Sequence, residues 1–112
     1  MGEFKEIAAK LIEFRDARDW KQFHDSKNLA IAIGIEAAEL NELFLWKTVE
    51  ESEQVDKERI REELADVLTF SFLLAEKQGF NVKEIVLDKI KRNNEKYPVS
   101  KAKGNATKYT EL

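Results

Sequence analysis

The chain has 112 residues, one proline, four glycines and no cysteine. That length supports a single core and leaves no room for a second domain of ordinary size, and the lack of cysteine excludes both a disulfide framework and a thiolate metal site. A formal net charge of −3 argues against a general nucleic-acid binder, while 37% charged beside 43% apolar residues suits helices with apolar stripes and solvated outer faces.

Phe4, Ile7, Ala8, Leu11 and Phe14 recur at helical spacing, which predicts a first helix over Phe4–Ala17. The period then breaks at Asp19-Trp20-Lys21-Gln22-Phe23-His24-Asp25-Ser26, a segment that holds two aromatics and the only histidine. It is expected to be an ordered loop, with Asp25 or Ser26 capping the next helix. That second helix is predicted from Lys27 to about Lys47. Its stripe of Leu29, Ala32, Ile33, Leu40, Leu43 and Trp46 is apolar except at Glu36 and Glu39, and Gly34 inside it permits close approach of a neighbour.

Thr48–Gln54 is polar and acidic and is expected to be a solvated connection. Asp56 is placed to cap a third helix, Lys57–Gln78, and Gly79 to end it. The face of Ile60, Val67, Phe70, Leu73 and Leu74 again carries two acids, Glu63 and Asp66. From Leu64 to Ala75 this helix is apolar nearly all round, which makes it the central one. Asn81-Val82-Lys83-Glu84 resembles a capping box for a fourth helix, with Val82, Ile85, Val86 and Ile90 inward. It ends near Lys96, because Pro98 biases Tyr97 away from helical angles. The rest, Val99–Leu112, has no period. The pattern predicts an all-α fold, a four-helix bundle over residues 1–98 with a tail over 99–112.

The first residues, MGEFKEIAAKL, are acidic and lack an apolar run, so they are not read as a secretory signal. The run from Leu64 to Ala75 contains Asp66 and is too short to cross a bilayer. The expectation is a cytoplasmic protein with neither a membrane nor a nucleic-acid partner.

Four carboxylates on two inward stripes need an explanation, since burying an unpaired charge is costly. Acids three apart on a helix can converge on one ion. Oxygen-only ligation selects hard cations, Mg²⁺, Mn²⁺ or Ca²⁺. A diiron site is disfavoured, because such bundles use Glu-x-x-His pairs and the one histidine lies outside both helices. The competing reading is that the acids pair with lysine or arginine, or are solvated at the bundle end. Glu42 and Glu62 lie off the stripes and are expected to be solvated or to support the ligands.

The ordered set Glu36-Ala-Ala-Glu39-Leu-Asn-Glu42-Leu-Phe-Leu-Trp46 and Glu62-Glu63-Leu-Ala-Asp66-Val-Leu resembles the all-α nucleoside triphosphate pyrophosphohydrolases of the MazG-like superfamily. The upstream Arg18-Asp19-Trp20-Lys21-Gln22-Phe23-His24 and Lys27-Asn28-Leu29, with Lys89, Asn93 and Tyr97-Pro98-Val99 downstream, are similar to the dCTP pyrophosphatase branch. The resemblance spans about residues 14 to 99. It implies Mg²⁺, with Mn²⁺ as an alternative, held by Glu36, Glu39, Glu63 and Asp66. It implies that Glu36 or Glu39 activates water, and that Trp20, His24, Trp46 and Phe70 form a base and sugar pocket. Phosphate and substrate contacts would come from Lys27, Asn28, Lys89, Asn93 and Tyr97. Two departures stand out: Leu11 occupies a place where some members of the branch carry a polar base contact, and Phe70 stands where some carry tyrosine.

The reading is a Mg²⁺-dependent hydrolase that converts a nucleoside triphosphate, dCTP first, to the monophosphate and pyrophosphate. The alternatives are a helical oligomerisation module without chemistry and a divalent-cation binder without turnover. The apolar excess on the third helix, with Phe44 and Leu45 off the stripe of the second, predicts a homo-oligomer, a tetramer ahead of a dimer.

Overall fold

The computed structural model describes residues 2–112, all helix, turn or coil, with no strand among them. The first helix, α1, spans Glu3–Ala17. It stops where Asp19 takes a left-handed φ of 53°, a conformation that a short polar side chain tolerates. The Gln22 amide donates to the Asp19 carbonyl and carboxylate, both at 3.0 Å, across a 3₁₀ turn at Lys21–Phe23. The predicted aperiodic loop is therefore an ordered turn. Asp25 then accepts the Asn28 backbone N–H at 2.7 Å and caps α2, Ser26–Glu42.

α2 ends earlier than its apolar stripe suggested. After Glu42 the backbone bonds tighten to i→i−3 steps, from Leu43 to Leu40, Phe44 to Asn41 and Leu45 to Glu42. Trp46 then turns out with φ 63° and stands 93% exposed. The helix predicted to run to Lys47 thus closes in a turn. Leu43 is buried as expected, and Trp46 leaves the inner face. The acidic connection also differs, since it contains one helical turn, α3, Val49–Ser52. A capping box builds it: the Thr48 hydroxyl accepts from the Glu51 N–H, and the Glu51 carboxylate accepts from the Thr48 N–H.

α4 spans Lys57–Gln78, opened by Asp56 accepting from the Glu58 N–H and closed by Gly79 at φ 74°. α2 and α4 run antiparallel and make the most extensive helix contact, with α1 packed more lightly on α4. The antiparallel register is fixed at one end by the Gln78 side chain donating to the Ser26 hydroxyl. Phe4 meets Phe72 with ring centroids 5.9 Å apart, joining α1 to α4. The core is Leu29, Leu43, Leu73 and Ala75. Leu29, 2% exposed, anchors it. Leu29→Ala is expected to cost about 3 kcal/mol through lost transfer energy and the cavity left behind, read as a shift in denaturant midpoint with unchanged slope.

Contacts divide the chain into Met1–Gly79 and Phe80–Leu112. The division expected from the sequence lay elsewhere and set apart only 99–112. In the second unit Asn81 caps α5, Val82–Lys96, by accepting from the Glu84 N–H at 2.9 Å. A single turn, α6, Val99–Ala102, comes after Pro98, and a 3₁₀ turn covers Tyr109–Glu111. Tyr97 and Tyr109 pack edge-on at 5.9 Å, and the Lys96 ammonium sits 4.7 Å from the Tyr109 ring centre. The segment read as aperiodic thus holds two single turns, each too short to leave a period. Four long helices, α1, α2, α4 and α5, match the four predicted. No helix among the described residues is long and apolar enough to cross a membrane.

Candidate active site

Glu36 and Glu39 lie one turn apart on α2, and Glu63 faces them from α4. One carboxylate oxygen from each lies within 4.8 Å of the other two. Glu36 and Glu63 are half-buried, and one oxygen of each, Oε2, is buried without a hydrogen-bond partner. None of the ion pairs among the described residues involves these acids. Burial, followed by a hydrogen bond and the negative charge of Glu39, lifts the Glu36 carboxyl to about 7. Burial and the charge of Glu39 also raise Glu63. Three clustered carboxylates, two of them with a buried oxygen that lacks a partner, make a donor set for a hard divalent cation. Asp66 is exposed and outside the 4.8 Å group, although its charge still acts on Glu36 and Glu63.

A second feature lies on the same unit. Leu11, Phe14 and Arg15 of α1, Trp20 and His24 of the loop, and Phe70 of α4 line a cavity of about 80 Å³. The rings form a chain, Phe14 to Trp20 at 5.7 Å, Trp20 to His24 at 6.5 Å and His24 to Phe70 at 6.3 Å. His24 Nδ1 is buried and unpartnered. Burial, helped by the Arg15 charge, lowers the pKa of His24, so the imidazole is neutral at pH 7. Glu63 and Phe70 are seven residues apart on α4, about 10 Å along the axis at 1.5 Å per residue.

Of the residues singled out from the sequence, Glu36, Glu39 and Glu63 come together, and so do Trp20, His24 and Phe70. Trp46 does not line the cavity. Lys27 is exposed on the first turn of α2. The Asn28 amide donates to the Phe23 carbonyl at 3.2 Å and to the Asp25 carboxylate at 3.3 Å, so it holds the loop that carries Trp20 and His24. Lys89, Asn93 and Tyr97 belong to the second unit, where Lys89 is exposed and Asn93 and Tyr97 are half-buried. Arg15 was not among the residues expected from the sequence. A charged residue four after Leu11 on an apolar stripe is the same signal that singled out Glu36 and Glu63.

Fold and site together define an all-α protein with a carboxylate cluster between antiparallel helices and an aromatic cavity on the same unit. The chain belongs to the MazG-like family, whose sequence profile matches residues 31–112. It is 42% identical to mouse dCTP pyrophosphatase 1 and 39% identical to the human protein, each over 105 residues, 89% of this chain. The chain spans 62% of the length of these relatives. A crystal structure of a pyrophosphatase from Archaeoglobus fulgidus superposes with a TM-score of 0.83 at 39% identity, covering 88% of this chain and 94% of that one.

Proposed function

We propose that this protein hydrolyses nucleoside triphosphates to the monophosphate and pyrophosphate, with dCTP or another deoxynucleotide favoured. The observation that carries the reading is the group of Glu36, Glu39 and Glu63, with two buried carboxylate oxygens that lack any partner. The relatives named as pyrophosphatases support it.

Glu36, Glu39 and Glu63 fit Mg²⁺, with Mn²⁺ as the alternative, and Asp66 completes the acidic set from the next turn of α4. Bound there, the ion supplies charge neutralisation for triphosphate oxygens and lowers the pKa of water. Glu39, the more exposed of the α2 pair, orients or deprotonates the attacking water, with Glu36 as the alternative. The Trp20, His24 and Phe70 rings bind and orient the base, which sets the α-phosphorus against the carboxylates two helical turns away. Lys27 serves the phosphates and Asn28 the loop; for Lys89, Asn93 and Tyr97, on the second unit, a phosphate role rests on the family resemblance alone. Trp46 is exposed and outside the cavity, and a substrate contact for it rests on the family resemblance alone. A panel of NTPs and dNTPs, read by pyrophosphate release with Mg²⁺, tests the reading; phosphate release without pyrophosphate, or none with any nucleotide, overturns it.

Trp20→Ala is expected to raise the Michaelis constant for dCTP about tenfold or more, since a base–aromatic stack contributes about 1–3 kcal/mol. Inhibition by bare tripolyphosphate stays unchanged. Equal loss for both ligands removes Trp20 from the base contact.

The protein is proposed to work as a homo-oligomer, a tetramer ahead of a dimer. Ile31 and Ile35 on α2 and Leu64 and Leu68 on α4, each pair one turn apart, are about half exposed. Val49 and Trp46 are more exposed still. Apolar patches of this kind mark partner surfaces. Light scattering is expected to give a multiple of 13.0 kDa, and a fully active monomer refutes the assembly.

A further inference from the structure

Packing alone holds Trp20 loosely. The residue is 43% exposed. Its ring meets Phe14 and His24 edge-on, with centroids 5.7 and 6.5 Å away. A ring packed on one side stands where its backbone points it, because the backbone angles select the allowed rotamers.

That backbone is the end of α1. The Trp20 N–H donates to the Arg15 carbonyl and the Asp19 N–H to the Asp16 carbonyl, each at 3.1 Å, the paired bonds of a Schellman motif. The left-handed residue of the motif is Asp19, at φ 53°. Glycine suits this position best, since it has no Cβ to strain. The same chain uses glycine where α4 ends, Gly79 at φ 74°. Asp19 is therefore the poorer residue for closing a helix, and its side chain supplies something that glycine lacks. That something is an acceptor. The Gln22 amide donates to the Asp19 carboxylate and, from the same nitrogen, to the Asp19 carbonyl, both at 3.0 Å. Trp20 and Lys21 lie between the two residues. The bonds thus close a loop of backbone that begins in the Schellman motif and ends in the 3₁₀ turn Lys21–Phe23. Asp19 and Gln22 are both exposed. A hydrogen bond between solvated groups adds little stability, because water replaces either partner. The clamp contributes little to the fold, then, and restricts a residue that packing leaves half free.

We propose that Asp19 and Gln22 are positioning residues: bonded together, they hold the Trp20 backbone, and with it the ring, in the orientation that binds the nucleotide. The proposal rests on the nucleotide-hydrolase reading above for what the ring meets. It adds two exposed polar residues that set affinity by acting through Trp20.

The test uses the full chain. Hydrolysis of dCTP with Mg²⁺, read by pyrophosphate release, gives KM and kcat for the wild type, Gln22→Ala, Asp19→Gly and Asp19→Asn. Gln22→Ala and Asp19→Gly are each expected to raise KM about three- to tenfold, the effect of one more side chain to be ordered on binding, with kcat within about twofold. Asp19→Asn keeps an acceptor and tolerates the left-handed angle, so its KM is expected to stay near the wild-type value. Stability is expected to go the other way in Asp19→Gly, whose melting temperature holds or rises because glycine suits φ 53°. Trp20 itself is read by fluorescence anisotropy decay without ligand in a Trp46→Phe background, where it is the only tryptophan. Gln22→Ala is expected to widen its nanosecond motion.

Unchanged KM in both Gln22→Ala and Asp19→Gly overturns the proposal, while turnover by the wild type still upholds the hydrolase. A raised KM with Trp20 motion unchanged shows that the pair does not act through Trp20 and overturns it too. A KM that rises only as the melting temperature falls, with Asp19→Asn no better than Asp19→Gly, assigns the pair a purely structural role and has the same result. Absence of pyrophosphate release by the wild type defeats the hydrolase reading and the positioning role together.

Discussion

Glu63→Gln is expected to lower pyrophosphate release from dCTP by about 10²–10³-fold, the usual loss when one electrostatic element of a transition-state site is removed, with the fold retained. The amide has the size of the carboxylate but cannot supply the charge that a hard cation needs. The site itself explains why the fold survives. Glu63 carries a buried oxygen with no partner and a carboxyl pushed up by burial and by Glu39, so the charge is a burden on the metal-free protein. Removing it relieves like-charge repulsion, and the melting temperature without metal is expected to hold or rise. Glu39→Gln is expected to behave alike. Glu62→Gln is the control, since Glu62 is exposed and outside the 4.8 Å cluster. Near-normal turnover of Glu63→Gln at saturating Mg²⁺ refutes the ligand assignment.

The parts of this molecule that were legible in the sequence are those with strong local causes. Asp25, Asp56 and Asn81 each accept the N–H of a helix start, and Gly79 takes the left-handed angle that ends α4. The same holds for the acids, since a carboxylate on an apolar stripe contradicts the physics of burial wherever it occurs. Three of the four acids, Glu36, Glu39 and Glu63, are accordingly found together, while Asp66 is exposed outside the group; no ion pair among the described residues involves the three. Trp46 was illegible for the opposite reason. Its place at i+3 from Leu43 fits the stripe, and nothing local announces that the backbone tightens after Glu42 and flips at Trp46. Arg15 was legible by the rule that found the acids. An arginine on a stripe draws less notice because its long stem commonly lies along apolar surface with the head in water. Only the structure gives it a buried head, two carboxylate partners and a cavity wall.

The metal-free protein is expected to lose stability as pH rises from about 5 to 8, the reverse of what acid-sensitive salt bridges produce. Glu36 carries the argument. Its carboxyl is lifted from the ordinary 4.5 to about 7, first by burial, then by the hydrogen bond to Glu39 and the charges of Glu39, Asp66 and Glu63. The folded state therefore keeps this proton where the unfolded chain has released it. The contribution is complete below about 4.5 and is lost as pH rises through about 7. Glu63, raised for similar reasons, acts in the same direction. Asp16 and Glu51 are lowered by their hydrogen-bond partners, so their effects fall on the acid side of this window. His24 opposes the trend. Its pKa is lowered by burial, so its contribution is full above its ordinary 6.5 and is lost as pH falls from there through the lowered folded value. Comparison with Glu36→Gln separates the two. The variant retains His24, so the difference in melting temperature between it and the wild type isolates the carboxylate. That difference is expected to be small at pH 5 and to grow in favour of the variant up to about pH 8, in chelator. Saturating Mg²⁺ should remove it by stabilising the wild type alone, since a ligand of the folded state raises its melting temperature. At about pH 6 the same binding should release protons, measurable as a dependence of the calorimetric heat on buffer ionisation enthalpy. A wild-type curve in chelator that tracks Glu36→Gln across this whole range refutes the burial of charge at Glu36, and with it the physical ground for a cation at this site.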